Sequence, residues 1–248
     1  MEVVAASGLH LVPPEQRNPL KTTSFGTGEL IRAALEKGAT RIIVGVGGAA
    51  TNDGGVGMAQ ALGIRFFDKA GVVLARAAAA QSLKQIYSVD CAARLPALDE
   101  TEILVACDIR NKLLGPRGAS FIYGPQKEAS DAGVLMLERN LRHFAKIVRR
   151  ELDINILTLP GGGAGDGLAG GLVAFAGEQL HVGVELIAGL IGLSQHLRGA
   201  DLVITGEARI DSQTWFGETP VGSALSGSRR WYRRQPDTRC ENGFWPRN

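Results

Sequence analysis

Long hydrophobic runs are missing from this 248-residue chain. No apolar stretch reaches the roughly 20 residues that a bilayer-crossing helix requires, so a membrane partner is not expected. The opening Met1-Glu2-Val3-Val4 lacks a basic segment, and no secretory leader is expected. Cysteine is scarce: Cys91, Cys107 and Cys240 stand far apart and form neither a disulfide framework nor a zinc-ligand spacing. A reducing cytoplasm is the corresponding expectation. His10, His143, His181 and His196 are scattered, with no Ser-His-Asp arrangement, and are read as structural or solvated. Repetition at solenoid period is also absent.

Excess charge is lacking too. The net charge is +2, but the stretch from Ser228 to Asn248 holds six arginines against Asp237 and Glu241. That stretch therefore carries +4 and the rest of the chain −2, so the body offers no nucleic-acid surface. Residues 223–248 also lose apolar periodicity and carry Trp231 and Trp245. A basic tail without a packed core fits this composition; a segment out of frame with the ancestral gene is the sharper reading, and a basic RNA-binding tail the weaker one.

Glycine is abundant, at 33 residues, and clusters in short loops between apolar runs. The apolar pattern predicts a helix over Thr27–Lys37, capped by Thr27 and stopped by Gly38, and a buried strand over Arg41–Val46. A short helix over Met58–Leu62 and a strand over Ile64–Phe67 follow. Further on come a strand over Glu102–Ala106, a long amphipathic helix over Val134–Leu152 and a helix over Leu168–Phe175. Val184–Leu190 reads as helical and Asp201–Ile204 as a strand. The long helix is expected to bury Leu135, Leu137, Leu141, Phe144 and Ile147. Strands alternating with helices predict α/β layers around a mainly parallel sheet.

Five segments carry candidate chemistry. Gly45-Val-Gly-Gly-Ala-Ala-Thr-Asn-Asp-Gly-Gly55 follows a strand directly. A glycine loop there presents backbone N–H groups to a phosphate or carboxylate, unless it is a structural turn. Gly47, Gly48, Thr51 and Asn52 are the binding candidates, with Asp53 as a carboxylate in the same place. A rival reading uses Gly45, Gly47 and Ala50 as a dinucleotide fingerprint, with Asp68 eighteen residues beyond Ala50. Asp108 follows the second buried strand, at a position where α/β sheets bind ligands. Tyr123-Gly-Pro-Gln-Lys127 supplies Lys127, an anion partner or a solvated lysine of a turn. Gly161 to Gly167 is a second glycine loop. Finally, Glu207, Arg209, Asp211 and Gln213 crowd the end of the strand at 201–204. Carboxylates there can hold Mg2+ or accept a hydroxyl proton, and an arginine can grip an anion.

These segments, together with Ala5-Ala-Ser-Gly-Leu-His-Leu-Val-Pro-Pro14 and Ser24-Phe-Gly-Thr-Gly-Glu-Leu-Ile-Arg32, resemble the type-1 glycerate kinase family in collinear order from Glu2 to Gly222. The resemblance implies transfer of the ATP γ-phosphoryl group to a hydroxyl of glycerate, with Mg2+. It implies two α/β domains, one flavodoxin-like and one Rossmann-like, with the site between them. Residues 1–200 then represent mainly the middle domain, 201–222 a remnant of the Rossmann-like domain, and 223–248 a non-homologous tail. The roles it implies are Asp53, Asp108 and Asp211 as candidates for base, with Asp53 and Asp108 also for Mg2+. Gly47, Gly48, Thr51, Asn52, Lys127, Glu207 and Arg209 hold substrate or phosphate.

The family's D-S-F-K and D-G-G-E-G-T motifs do not occur, and the chain reads as truncated at both ends. It departs from the family pattern at Arg110, Lys112, Asp166, Ala208 and Glu218. Impaired turnover, a non-catalytic remnant and a dinucleotide-binding oxidoreductase are the alternatives. Oligomers or aggregates through an uncovered edge of the 201–204 strand are a further expectation.

Overall fold

The computed structural model describes residues 1–177 and 180–200. It divides into two units, Met1–His181 and Val182–Asn248. The expected strand over Asp201–Ile204, the residues Glu207, Ala208, Arg209, Asp211 and Glu218, and the arginine-rich tail lie outside the described residues.

In the first unit a parallel sheet has the order β1 (Arg41–Gly45), β4 (Glu102–Ala106), β5 (Leu180–His181). The register pairs Arg41 with Glu102 and Gly45 with Ala106. Ile42, Val44, Ile103 and Val105 point into the core, so the short β-branched runs are the sheet's centre. Residues Met1–Val3 run along the other edge of β1, where Gly45 N–H donates to Met1 and Val3 N–H donates to Gly45.

A second, smaller sheet stands apart from the first. β2 (Arg65–Phe67) pairs antiparallel with β3 (Ser88–Asp90), closed by an Arg65–Asp90 ion pair. This topology overturns the dinucleotide reading. That motif needs its second strand parallel in the sheet of the first, whereas β2 lies in a separate sheet from β1. Asp68 serves its own turn instead, with Oδ1 accepting from the Ala70 and Val72 N–H groups.

Apart from the helix that begins at Leu168 as expected, the helices begin slightly earlier than their apolar periodicity suggests. Short α1 (Val4–Ser7) precedes α2 (Phe25–Glu36), in which Thr27 is not the cap. It is buried inside the helix, with its hydroxyl 2.8 Å from that of Ser7. α2 crosses α3 (Val56–Ala61) at close range, since a Cβ on Gly28 would lie 2.4 Å from the Met58 carbonyl oxygen. α4 (Ala119–Tyr123) leads to α5 (Asp131–Leu152), whose N-cap Ser130 accepts from Gly133 N–H at 3.2 Å. Asp131 in the first turn and Arg149 and Arg150 in the last complement the helix dipole.

Leu137, Leu141, Phe144 and Val148 form the buried stripe of α5, with Ile147 beside it. Leu135, expected on that stripe, is 47% exposed. Two residues before Leu137 is a rotation of about 200°, which turns it to the opposite face. α6 (Leu168–Ala176) completes the unit. Phe66, Phe144 and Phe175 meet at its centre, with ring centroids 5.6–6.3 Å apart.

The described part of the second unit holds α7 (Gly183–Leu190) and α8 (Leu193–His196). No helix among the described residues is long and apolar enough to cross a membrane.

Candidate active site

Because Gly45 pairs with Ala106, β1 and β4 end at the same edge of the sheet. Two residues beyond these ends stand Gly47 and Asp108, both exposed. Gly48 is exposed as well, while Ala49 to Ala59 are buried without a break. The first glycine loop thus has an open mouth at Gly47–Gly48 and a closed floor from Ala49 onwards. The mouth is held from behind: Leu9 N–H donates to the Gly48 carbonyl and Ala50 N–H to that of Ser7.

On the floor, Asp53 is fully buried and accepts four hydrogen bonds. Its Oδ2 takes them from Ser24 N–H and Ser24 Oγ, both at 2.8 Å, and from Gly57 N–H at 3.2 Å. Its Oδ1 takes one from Gly55 N–H at 3.1 Å. Ser24 Oγ in turn accepts from Met58 N–H at 2.9 Å. One carboxylate therefore joins the start of α2 to the start of α3. Burial pushes the Asp53 pKa up, and these donors pull it back. Three of the four are backbone N–H groups, which can only donate, so the surroundings suit the ionised form.

Lys127 is likewise buried, 1% exposed, and is not the solvated lysine of a turn. Its Nζ is paired with Asp166 and donates to the Thr51 carbonyl at 2.9 Å. Asp166, 3% exposed, also accepts from Asn52 Nδ2 at 2.9 Å. Ser120 Oγ lies 3.4 Å from Asn52 Oδ1. Burial pushes the Asp166 carboxyl up and the Lys127 ammonium down, and each one's charge opposes the shift of the other. The Thr51 hydroxyl is buried here without a hydrogen-bond partner among the described residues. Burial, then the charges of Asp166 and Cys107, raise the Tyr123 phenol to about 12. Its hydroxyl donates to Asn111 Oδ1 at 3.2 Å.

The second glycine loop and α6, which follows it, both pack their backbone onto the first loop. A Cβ on Gly171 would lie 2.4 Å from the Gly54 carbonyl oxygen, and one on Gly165 would lie 2.9 Å from that of Val46. Gly163 packs in the same way on Lys112, and its N–H donates to the Asn111 carbonyl. Arg110 and Lys112, on the segment after Asp108, are exposed cations.

The structure thus gathers Thr51, Asn52, Asp53 and Lys127 in one buried cluster, and places Gly47, Gly48 and Asp108 at the open strand ends. Ser24, Ser120 and Asp166 are additions to the expected site residues. Asp166 carries a signal, as the one charged residue between Pro160 and Gly167; the serines carry none beyond their motifs. No group of three or more His, Cys, Asp or Glu able to hold a metal ion occurs among the described residues. For Mg2+ bound chiefly by phosphate and water, one exposed carboxylate is sufficient protein support, and Asp108 fits that requirement. Asp53, with both oxygens taken up by donors, does not. A separate concavity of about 290 Å3 is lined by Phe25, Glu29, Arg32, Gln60, Ala61 and Arg76. None of the site residues lines it, and its arginines are paired with Glu36 and Glu29.

A model of the glycerate kinase family matches residues 1–230. The glycerate 2-kinase of Escherichia coli K12 is 47% identical over 224 residues, 90% of this chain and 58% of that protein. The glycerate kinase of Halalkalibacterium halodurans is 45% identical over the same shares. A crystal structure of a glycerate kinase 2 candidate from Salmonella typhimurium LT2 superimposes with a TM-score of 0.82 at 47% identity, covering 91% of this chain and 59% of that one. The chain therefore spans a little under three fifths of the length of these relatives.

Proposed function

The chain belongs to the glycerate kinase family, and we propose that it carries one wall of a site that transfers the γ-phosphoryl group of ATP to a hydroxyl of glycerate, in the cytoplasm. The observation that carries this reading is the pairing of Gly45 with Ala106, which ends both strands at one edge of the sheet, with the open Gly47–Gly48 loop following one and Asp108 following the other. Backbone N–H groups at a strand end suit a phosphate or carboxylate oxygen. Phosphoryl transfer asks the protein mainly for positioning and charge neutralisation.

In this reading Gly47 and Gly48 hold the anion, and Asp108 would hold Mg2+, which when bound neutralises charge on the β- and γ-phosphate oxygens. Arg110 and Lys112 add positive charge along the same segment. Asp53 is a buttress, not a base, since its oxygens already serve the starts of α2 and α3. Thr51, Asn52 and Lys127 set the floor of the loop. Acceptance of the hydroxyl proton is assigned to Asp211, with Glu207 and Arg209 beside it, from the sequence motif alone.

Preorganised placement contributes about 7–11 kcal/mol of barrier lowering when both walls of a site act together. The 248-residue polypeptide by itself is therefore expected to turn over at below about a tenth of the rate of an intact relative. The test mixes purified chain with ATP, Mg2+ and D-glycerate, follows ADP, and titrates each ligand separately. Saturable binding of glycerate or ATP that Asp108→Asn weakens supports the reading. Binding of neither, or binding of a nicotinamide dinucleotide instead, overturns it.

A further inference from the structure

We propose that Asp166 is a positioning residue for the Gly47–Asn52 loop, acting through Lys127 and Asn52 without touching a ligand. The proposal rests on the phosphoryl-transfer reading only in taking that loop as the anion site.

Asp166 reaches two successive residues of the loop. Its carboxylate accepts directly from Asn52 Nδ2 at 2.9 Å. It also pairs with Lys127, whose Nζ makes a second hydrogen bond to the Thr51 carbonyl at 2.9 Å. All three side chains are buried, so water does not compete for these bonds. Asp166 also sits at a φ of 58°, in the left-handed region, inside a loop whose backbone lies directly on the first loop at Gly54 and Val46. Its carboxylate therefore approaches from a fixed platform. The loop atoms it fixes, at Thr51 and Asn52, lie a few residues from the open mouth at Gly47 and Gly48.

A buried ion pair is a poor source of net stability compared with apolar side chains of similar volume, whereas removal of one partner alone is costly. What the pair supplies beyond packing is direction, because each member has a defined acceptor or donor on the loop. This separates positioning from stability experimentally. Replacement of both charges by apolar groups should keep the fold and lose the definition of the loop.

The experiment uses the whole 248-residue chain with Lys127→Met, Asp166→Asn and the double variant Lys127→Met/Asp166→Leu. Amide hydrogen exchange is read at residues 49–53 and, as a control, at 137–148 in α5. Binding of inorganic phosphate is titrated in parallel. The double variant should show wild-type protection in α5, but exchange at 49–53 at least about tenfold faster, with phosphate binding weakened by at least about tenfold. Asp166→Asn, which keeps an acceptor oxygen, should recover part of the loop protection. Wild-type exchange at 49–53 in the double variant would overturn the proposal, as would loss of protection spread evenly over α5 and the loop. Absence of phosphate, ATP and glycerate binding in the wild type would sink the phosphoryl-transfer reading and leave the exchange comparison standing.

Discussion

Among the described residues, a Cβ added at Gly47 would meet nothing within 4 Å, whereas one added at Gly171 would lie 2.4 Å from a carbonyl oxygen. Both glycines belong to segments that look alike in the sequence, small residues around a strand end or a helix start. At Gly47 the space before the backbone is open among the described residues. Gly171 is small because another stretch of backbone occupies the space where a side chain would be. Glycine richness therefore marks two different things here, an open stretch that we propose receives the anion and a floor built of backbone on backbone. The distinction makes opposite demands: floor substitutions should cost stability, and mouth substitutions should cost binding alone.

The largest effect belongs to the floor. Lys127→Met leaves the Asp166 carboxylate buried without its cation, and breaking a buried pair in this way costs about 3–5 kcal/mol. Urea unfolding of the purified chain should show that loss as a lower midpoint. A change below about 1 kcal/mol would mean that Asp166 sheds its charge or finds water, and that the floor is softer than its burial implies. Next comes Gly171→Ala. Helix propensity alone favours alanine by about 1 kcal/mol. Contacts at 2.4 Å to the Gly54 oxygen and 2.9 Å to the Gly55 Cα should outweigh it, for a net loss of about 1–3 kcal/mol as in other overpacked cores. A stabilised variant would show that α6 can move off the first loop.

Tyr123 gives a smaller, pH-dependent test beside the floor. Its phenol is raised from 10.0 to about 12, first by burial and then by the Asp166 and Cys107 charges. The sign follows from the raised value. Its contribution to stability is complete below the unfolded pKa of 10.0 and is lost as pH climbs through about 12. Absorbance at 295 nm should therefore contain a late ionisation step that Tyr123→Phe removes. A step near 10 in its place would mean that the phenol is solvated.

Much of this arrangement is legible in the sequence, and the part that is not has a common cause. β1, β4, α5 and α6 follow from short β-branched runs and helical periodicity, which are local signals. The position of the glycine loop at the carboxyl end of β1 follows from the same order. Thr27 has the chemistry of a cap, but the real acceptor at the start of α2 is Asp53, which bonds Ser24 N–H from 29 residues away. Asp53 and Lys127 look like ligand groups because a carboxylate or an ammonium beside glycines is chemically suited to binding. Their partners, Ser24 and Asp166, are separated from them by 29 and 39 residues. No local pattern reports which polar groups satisfy one another at such distances. β3 escapes sequence reading for a related reason: three half-buried residues carry too little pattern to register as a strand.

The smallest expected change in stability comes from the mouth, and it is the one most able to break the comparison. Gly47 has no positive φ, is exposed, and among the described residues has open space where a Cβ would stand. Gly47→Ala should therefore leave unfolding within about 0.5 kcal/mol of wild type, the usual range for a surface substitution. Any small change should be a gain, since alanine restricts the unfolded chain. The methyl group would still project into the space from which an anion reaches the loop's N–H groups. A displacement of about 1 Å in such a site can cost about a hundredfold in function. Glycerate or phosphate binding should accordingly fall by at least about tenfold while the melt is unchanged. An unstable Gly47→Ala would show that the mouth is packed like the floor. A stable variant with full affinity would place the anion elsewhere, with Arg110 and Lys112 beside Asp108 as the next positions to test.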